Sequence, residues 1–286
     1  MENILQETKF ILKKYNIKAN KSLGQNFLIS QSVVETIVSS AQIGENDLVI
    51  EIGPGLGTLT EFLLQKAKKV ICIELDKNMV KILNERFFLY KNLEIINEDV
   101  LKLDLVKIIK DEKEKNNIKN VKVVANLPYY ITTPIVMKLL EEKLDIESIT
   151  IMIQKEVADR LIENPGGKNS GAITYTVNYY AEPEGIIEVP NNSFIPEPEV
   201  TSKVLKLSIR KEPKVDVKNP EIMFKIIKSA FLQRRKTLLN ALVNNKIFNS
   251  KEECIKVLQE LNFDVNVRGE KLTLEDYAKL ANEINK

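Results

Sequence analysis

Short, almost continuously apolar runs alternate with amphipathic segments between residues 48 and 162. Strands that are covered on both faces of a sheet have such runs, and helices with one buried face have such amphipathic segments. The pattern predicts strands at 48–52, 70–75, 93–96, 121–125 and 149–153. It predicts helices at 58–67, 78–88, 134–140 and 156–162. This alternation indicates an α/β fold with a doubly wound, mostly parallel sheet.

The pattern changes after residue 165. Residues 173–180 and 200–209 alternate between apolar and polar positions, which predicts antiparallel strands that close the sheet. A proline-punctuated loop is predicted at 183–198, and a linker at 211–220. Helical periodicity then follows at 222–242, 251–261 and 274–284. We therefore expect a larger α/β domain at 1–212 and a small all-α domain at 213–286.

A glycine-rich turn follows the first predicted strand. Gly53, Gly55 and Gly57 form a G-x-G-x-G pattern, which lets a ligand approach the backbone closely. Glu74 ends the next strand, 21 residues after Gly53, where a carboxylate can accept hydrogen bonds from the ribose hydroxyls of a nucleoside ligand. The turn and the acid together predict a nucleoside-cofactor site. A glycine turn with a purely structural role is the alternative.

Charge favours S-adenosylmethionine over a dinucleotide as the cofactor. Dinucleotide sites bind an anionic pyrophosphate and favour G-x-G-x-x-G, whereas the carboxylates of Glu51 and Glu74 flank this turn and suit a sulfonium cation. Asp99 ends the third strand and can accept from the adenine amine of the cofactor, with helix capping as the alternative. The G-x-G-x-G pattern with Glu51 two residues before it resembles that of S-adenosylmethionine methyltransferases. We therefore expect a Rossmann-like S-adenosylmethionine methyltransferase sheet, with the catalytic domain at 1–212.

A candidate target-base motif, Asn126-Leu127-Pro128-Tyr129, follows the fourth strand. The adenine N6 amine is a poor nucleophile because its lone pair is delocalised into the ring. Asn126 can accept one N–H of the amine and contact the cofactor, while Pro128 orients a backbone carbonyl for the other N–H. Tyr129 offers a flat face for a base taken out of its stack. The motif also occurs in DNA adenine methyltransferases, so the nucleic acid stays open at this point.

The composition narrows the chemistry. The 286 residues contain no histidine, which excludes a Ser-His-Asp nucleophile and His-ligated metals. Methyl transfer from a sulfonium needs neither a strong base nor a metal, since positioning supplies most of the catalysis. Two widely separated cysteines and a start without a basic, apolar leader predict a cytoplasmic protein.

The formal net charge of +2 is too small to indicate whether the protein binds a polyanion. Only the local distribution of charge can indicate such a partner. One basic group lies in a predicted helix, at Lys225, Lys228, Arg234, Arg235 and Lys236. A second lies near the start, at Lys9, Lys13, Lys14, Lys18 and Lys21. Basic groups on elements that flank a cleft favour RNA binding, and a solvated helix face is the alternative.

Taken together, the motifs resemble the bacterial small-subunit ribosomal RNA adenine N6,N6-dimethyltransferase family over nearly the whole chain. The resemblance rests on residues 21–28 (KSLGQNFL), the glycine turn, Glu74, Asp99, residues 126–129, residues 194–198 (FIPEP) and residues 230–238 (AFLQRRKTL). It implies that Asn26 and Leu28 help to hold S-adenosylmethionine, and that Phe194 pairs with Tyr129 around the flipped base. It further implies dimethylation of two adjacent adenines near the 3′ end of the RNA, with the 30S particle or its precursor as the expected partner. The sequence does not reveal the oligomeric state, and a monomer is the default expectation.

Some alternatives stay open. They are a large-subunit RNA methyltransferase that confers antibiotic resistance, a non-catalytic assembly or transcription factor, and a small-molecule methyltransferase. Leu23-Gly24 before the Gln-Asn pair favours the small-subunit type, and the presence of Glu74 and Asn126 argues against a non-catalytic factor. One departure from the family is Ser170, where its members usually have tyrosine, and this puts a local contact in doubt.

Overall fold

The computed structural model describes residues 4–20 and 23–284, so Lys21 and Ser22 of the predicted cofactor motif lie outside the described residues. The strands are β1 (Phe27–Leu28), β2 (Leu48–Ile52), β3 (Lys69–Ile73), β4 (Leu93–Ile96), β5 (Val121–Asn126), β6 (Ser148–Gln154), β7 (Ala181–Val189), β8 (Phe194–Ile195) and β9 (Ser202–Ile209). The helices are α1 (Ile4–Lys14), α2 (Gln31–Ser40), α3 (Thr58–Leu64), α4 (Lys77–Arg86), α5 (Leu105–Asn116), α6 (Thr132–Glu141), α7 (Lys155–Ile162), α8 (Ala172–Tyr180), α9 (Pro220–Leu232), α10 (Leu238–Asn244), α11 (Lys251–Glu260) and α12 (Leu274–Ile284). None of these helices combines the length and the hydrophobicity that crossing a membrane requires.

Within the described residues, the main sheet has seven strands in the order β4-β3-β2-β5-β6-β9-β7. Strands β2 to β6 pair in parallel, and β9 pairs antiparallel with β6. Every residue of β2 is buried, which explains its almost unbroken apolar run. The predicted mostly parallel sheet is therefore confirmed, and β9 is an antiparallel closing strand within the segment predicted at 200–209. The strand order reverses between β2 and β5, and sheets of this kind bind ligands at such a switch point.

Packing divides the chain into two compact units. The first comprises Met1–Ala158 and Glu184–Ile209, and the second comprises Asp159–Pro183 and Arg210–Lys286. The first unit holds the core of the sheet, and the second has a separate core of buried helix residues. The second unit begins again at Arg210, close to the predicted boundary at 212, but residues 159–183 also pack with it. The division into domains at 1–212 and 213–286 stays a prediction.

Residues 173–180 belong to helix α8, so the strand predicted there is wrong. The six residues from Thr174 to Tyr179 are all buried, and the helix therefore has no polar stripe whose period would reveal it. Its β-branched and aromatic residues favour strands intrinsically, but tertiary packing overrides that preference. The side-chain amide of Asn178 donates to the carbonyl oxygens of Glu163 and Thr174, at 3.1 and 2.9 Å, which satisfies a buried polar group.

Two other segments differ from the prediction. Strand β7 occupies part of the segment predicted as a loop at 183–198, and Pro183 is tolerated because β7 is an edge strand. The single helix predicted at 222–242 is instead α9 and α10, with residues 233–237 between them. The Thr237 side chain accepts a hydrogen bond from Asn240 N at 3.3 Å and so caps a new helix.

Ser170 makes a compact local contact in place of the usual tyrosine. Its side chain is fully buried, and its Oγ donates to the carbonyl oxygen of Gly167 at 2.8 Å. The hydroxyl of Tyr175 accepts from Gly166 N at 3.1 Å and donates to the carbonyl oxygen of Leu272 at 2.7 Å. The serine and a neighbouring tyrosine together hold this turn.

Replacing Gly57 with alanine is expected to lower the free energy of unfolding by about 3 kcal/mol or more. Gly57 has a φ of +88°, and a Cβ atom there would lie 2.5 Å from Cε2 of Phe87 and 2.9 Å from Cδ2 of Leu83. Backbone strain and overpacking each cost about 1–3 kcal/mol. Urea unfolding measures the difference.

The matched control is Gly44→Ala, since the new Cβ would lie 3.4 Å from Oδ2 of Asp47, an ordinary contact, and the φ of Gly44 is not positive. We expect this substitution to change the free energy of unfolding by about 0.5 kcal/mol or less. Equal losses in the two variants would contradict the packing argument.

Candidate active site

A cleft opens where β2, β3 and β5 end. These strands pair in register, so Gly53, Glu74 and Asn126 lie at one level along the strand direction. The cavity encloses about 1080 Å³ of non-atom space when the solvent at its open mouth is included. Its walls come mainly from residues 23–28, 51–56, 73–75, 99–100 and 126–131.

Glu74 is held in the cleft by two backbone amides. Gly55 N donates to its Oε2 at 3.1 Å, and Asp76 N donates to its Oε1 at 2.9 Å. Burial raises the pKa of the Glu74 carboxyl, and these backbone hydrogen bonds oppose the shift. Each carboxylate oxygen has further lone pairs, so Glu74 can still accept from two ribose hydroxyls. The geometry fits the cofactor role predicted for Glu74.

Glu51 is a buried carboxyl in the wall of the same cleft. Thr60 Oγ1 donates to its Oε2 at 2.6 Å, and Cys72 Sγ donates to the same oxygen at 3.4 Å. Burial raises the pKa of Glu51 to about 7, and the hydrogen bonds from Thr60 and Cys72 oppose the shift. A cation in the cleft would favour the ionised carboxylate, because opposite charges lower the pKa of an acid.

Asp99 lines the cleft and also caps a short helix. Its Oδ1 accepts from Leu101 N at 3.0 Å, at the start of the 3₁₀ helix Val100–Lys102. No other donor among the described residues reaches its second oxygen, which can therefore accept from an adenine amine. The capping and the ligand-binding interpretations are compatible, and the cofactor role of Asp99 stays a prediction.

Asn126 ends β5 with its side chain fixed. Its Nδ2 donates to the carbonyl oxygen of Asn26 at 3.2 Å, so Oδ1 is the atom that can accept from a target amine. Leu127 N donates to the carbonyl oxygen of Met152 at 3.1 Å, which ties the turn to β6. Pro128 has a φ of −59° and restricts the preceding residue, so the carbonyl of Leu127 is also held. The structure places all three residues in the cleft wall.

Tyr129 is partly buried beside Asn126. Its hydroxyl and the Oγ of Ser202 on β9 are 2.6 Å apart and share a hydrogen bond. Burial raises the pKa of the Tyr129 hydroxyl, so it stays protonated at neutral pH. The ring therefore has one fixed orientation in the cleft wall, as a stacking platform for a base requires.

Asn26 and Leu28 reach the cleft through β1. Leu28 pairs antiparallel with Phe194 of β8, and its side chain is buried in the cleft wall. Asn26 donates from Nδ2 to the carbonyl oxygen of Gly24 at 3.2 Å and accepts from Asn126. The N-terminal motif and the target-base motif are thus joined directly, while the cofactor roles of Asn26 and Leu28 stay predictions.

Phe194 does not line the described cleft wall. Its ring is 2% exposed and packs in the hydrophobic core with Val33, Val34 and Val204. The structure therefore brings Tyr129 to the cleft without the ring of Phe194. The predicted stacking role of Phe194 is untested by this arrangement and stays a prediction.

The predicted RNA-binding residues are all exposed in the second unit. Lys225 and Lys228 lie on α9, whereas Arg234, Arg235 and Lys236 lie in the turn between α9 and α10 and not on a helix. Arg234 pairs with Glu270 at 3.1 Å, and its guanidinium lies over the ring of Phe231 at 5.8 Å. One basic side chain is therefore internally paired, and the role of the group in RNA binding stays a prediction.

Gln25, which belongs to the N-terminal motif, and Tyr130 also line the cleft, although the sequence analysis assigned neither of them a role. Gln25 Nε2 donates to Oδ2 of Asp76 at 2.9 Å, which connects the N-terminal motif to the loop after β3. Tyr130 is 57% exposed and packs against Gly24, where an added Cβ would lie 3.3 Å from its Cδ1. Their position next to recognised motif residues is the signal that could have found them.

Solved structures with a similar fold include RNA methyltransferases. A dimethyladenosine transferase from Plasmodium falciparum matches with a TM-score of 0.76 and 28% identity, over 91% of this chain and 97% of that one. The 23S rRNA methyltransferase ErmE matches with a TM-score of 0.68 and 23% identity, over 91% and 100% of the two chains. The second likeness supports the fold alone.

The fold and the cleft define an S-adenosylmethionine-dependent methyltransferase. Residues 16–286 match the family model described as ribosomal RNA adenine dimethylase, and the chain belongs to that family. Two relatives are named "ribosomal RNA small subunit methyltransferase A". The one from Alkaliphilus metalliredigens is 52% identical over 97% of this chain and 96% of that protein. The one from Clostridioides difficile is 47% identical over 97% and 95%. The predicted family, enzyme class and cofactor are confirmed.

Replacing Glu51 with glutamine is expected to stabilise the protein at pH 8 more than at pH 5. The folded-state pKa of about 7 lies above the ordinary value of 4.5, so the folded protein keeps a proton that the unfolded chain releases. Wild-type stability therefore falls as the pH rises from about 4.5 to about 7. Glutamine resembles the protonated acid and lacks this dependence. Urea unfolding should show the difference between the proteins growing by about 2–3 kcal/mol across this range.

Glu114→Gln is the control, because Glu114 is exposed on α5 and its substitution removes the same charge. A pH-independent difference between wild type and Glu51→Gln would contradict the buried, neutral carboxyl.

Proposed function

We propose that this enzyme methylates the N6 amines of two adjacent adenines near the 3′ end of small-subunit ribosomal RNA, to give N6,N6-dimethyladenine during small-subunit maturation. The observation that carries the proposal is the fixed Asn126 amide at the end of β5, level with Gly53 and Glu74 in one cleft. The choice of the small subunit is supported by similarity over 97% of the chain to relatives whose names specify it.

The target amine would be oriented by two acceptors. Oδ1 of Asn126 accepts one N–H, and the carbonyl of Leu127, which Pro128 restrains, accepts the other. These bonds favour lone-pair density on N6 and aim it at the methyl donor. Tyr129, fixed by Ser202, covers one face of the flipped adenine. Phe194 is proposed to cover the other face, which requires its ring to leave the core.

The cofactor would lie along the ends of β2 and β3. Glu74 accepts from the ribose hydroxyls, Asp99 accepts from the adenine amine, and Gly53 and Gly55 allow close approach of the ligand to the backbone. The cofactor would also contact three other residues of the cleft wall, namely Asn26, Leu28 and Asn126. S-adenosylmethionine supplies a methyl group that is bonded to a sulfonium sulfur. The leaving group is the neutral thioether that contains this sulfur.

The displacement needs no protein base. The N6–C bond forms as the C–S bond breaks, and N6 then loses a proton to water because the methylated amine is acidic. The work of this chain is to hold the amine in line with the methyl and to exclude water from the cleft. Catalysis by positioning needs no histidine base, and the chain contains no histidine.

RNA outside the cleft would be bound by basic side chains of the second unit. They are Lys225, Lys228, Arg234, Arg235 and Lys236. Exposed cations of this kind bind the phosphate backbone without reading its sequence. The expected partner is the 30S particle or its precursor, on which the enzyme acts as a monomer in the cytoplasm.

The proposal is tested by transfer of tritiated methyl from S-adenosylmethionine to undermethylated small ribosomal subunits, with large subunits and DNA alongside. Label in N6,N6-dimethyladenine of small-subunit RNA alone is the expected result. Label in large-subunit RNA would instead identify the enzyme as a large-subunit RNA methyltransferase of the kind that confers antibiotic resistance. Absence of label despite cofactor binding would indicate a non-catalytic factor.

Asn126→Ala is expected to lower kcat by about 10²–10³-fold while S-adenosylmethionine binds nearly normally. The substitution removes the acceptor that orients the amine, and oriented electrostatic contacts of this kind have effects of about that size. Single-turnover methylation of small subunits gives the rate, and calorimetry gives the Kd for the cofactor.

The control is Asn84→Ala on α4, where an exposed asparagine amide donates to the carbonyl oxygen of Val80. It should leave both quantities unchanged. A parallel loss of cofactor binding and rate in Asn126→Ala would contradict the assigned role, because the residue would then act mainly through the cofactor.

A further inference from the structure

Helix α1 presents one strongly positive face. At about 100° per residue, Lys9, Lys13, Gln6, Phe10 and Lys14 follow one another over an arc of roughly 140°. All five side chains are exposed, and Phe10 is 64% exposed. We call this arc the α1 basic face.

The opposite side of α1 is anchored in the first unit. Ile4, Thr8 and Ile11 are buried, and Ile11 packs in a cluster with Phe27 and Met79. Tight anchoring means that the helix presents its lysines from a fixed position.

The carboxylates near α1 are already engaged. Glu7, the one acid within Ile4–Lys14, forms an ion pair with Arg86 of α4. Glu85 accepts a hydrogen bond from the hydroxyl of Tyr15 at 2.7 Å. No carboxylate among the described residues pairs with Lys9, Lys13 or Lys14. The ammonium of Lys14 lies 4.8 Å from the centre of the Tyr15 ring, so its contact there leaves the charge in place.

The face lies close to the cleft along the chain. Leu23, the first described cleft residue, comes nine positions after Lys14. Ile17 and Ala19 in the connecting segment pack against the cluster that contains Phe27 and Leu56, both of which line the cleft. At about 3.4 Å per residue, the end of α1 is within roughly 30 Å of the cleft even for an extended chain. RNA that presents an adenine to the cleft extends at least this far.

We infer that the α1 basic face binds the phosphate backbone of the ribosomal RNA substrate, outside the nucleotides that are methylated. The inference rests on the RNA substrate of the proposed function and assigns part of its binding surface. Three ammonium groups that pair with no carboxylate of the described chain complement a polyanion, and the exposed ring of Phe10 between them can stack on an unpaired base. The basic residues of the second unit are separate from this surface in the chain.

The test is a variant of the full-length protein with Lys9→Gln, Lys13→Gln and Lys14→Gln. Glutamine keeps the helix propensity of lysine and removes the charge. At about 0.1 M salt, the Kd for undermethylated small subunits should rise about tenfold or more. The slope of log Kd against log salt concentration should fall by about 2, since each phosphate contact contributes about 0.7–0.9. The KM for small subunits should rise, whereas kcat and the Kd for the cofactor should stay unchanged.

Two matched variants distinguish the effect of positive charge on the α1 basic face from the effect of positive charge elsewhere on the surface. Lys9→Arg with Lys13→Arg and Lys14→Arg should bind as the wild type does. Lys107→Gln with Lys110→Gln and Lys115→Gln removes three exposed lysines from α5 and should change the Kd by about twofold or less.

Wild-type affinity and salt slope in the α1 glutamine variant would overturn the inference, as would an equal loss in the α5 variant. A wild-type protein that methylates large-subunit RNA instead would refute the proposed substrate. The same comparison of variants on large-subunit RNA would then still decide the role of the α1 basic face.

Discussion

The active site depends on the parallel register of three strands. Ile52 of β2 pairs with Ile73 of β3 on one side and with Ala125 of β5 on the other. The next residue of each chain segment therefore lies at the cleft: Gly53, the first glycine of the turn, then Glu74 and Asn126, for which the cofactor and target-base roles are proposed. A slip of one residue in either pairing would turn the side chains of that strand to the opposite face. The residues of these strands are almost all buried, so a slip would misplace closely packed side chains and would separate the buried Glu51 carboxyl from Thr60.

Rigid anchors from other elements then fix the target-base turn. Asn126 is tied to the segment before β1, Leu127 to β6, and Tyr129 to Ser202 on β9. The antiparallel strand β9 therefore helps to build the cleft, because its Ser202 holds the Tyr129 side chain in the cleft wall. Catalysis by positioning requires this kind of order, since a displacement of about 1 Å can cost on the order of a hundredfold in rate.

The sequence predicts the site better than it predicts the second unit, for physical reasons. Strand-end residues such as Glu74 and Asn126 could be predicted because long apolar runs mark the strands and parallel strands end on one side. Helix α8 could not, because a helix buried on all sides shows no 3.6-residue period. The break at residues 233–237 depends on the side-chain cap by Thr237, which the continuous helical period hides. The burial of Phe194 depends on the pairing of β1 with β8, a long-range contact that leaves no local signal.

Glu51 places a buried, titratable carboxyl in the wall of the cleft. In the free protein, burial makes the ionised carboxylate costly and holds its pKa near 7. A sulfonium and an ammonium nearby would stabilise the ionised form, so binding of the cofactor is expected to release a proton near neutral pH. By linkage, the affinity for the cation rises as the pH passes through this pKa, and affinity for the neutral thioether product gains less. A half-ionised buried acid in the cleft wall would on this basis favour the charged methyl donor over the spent product.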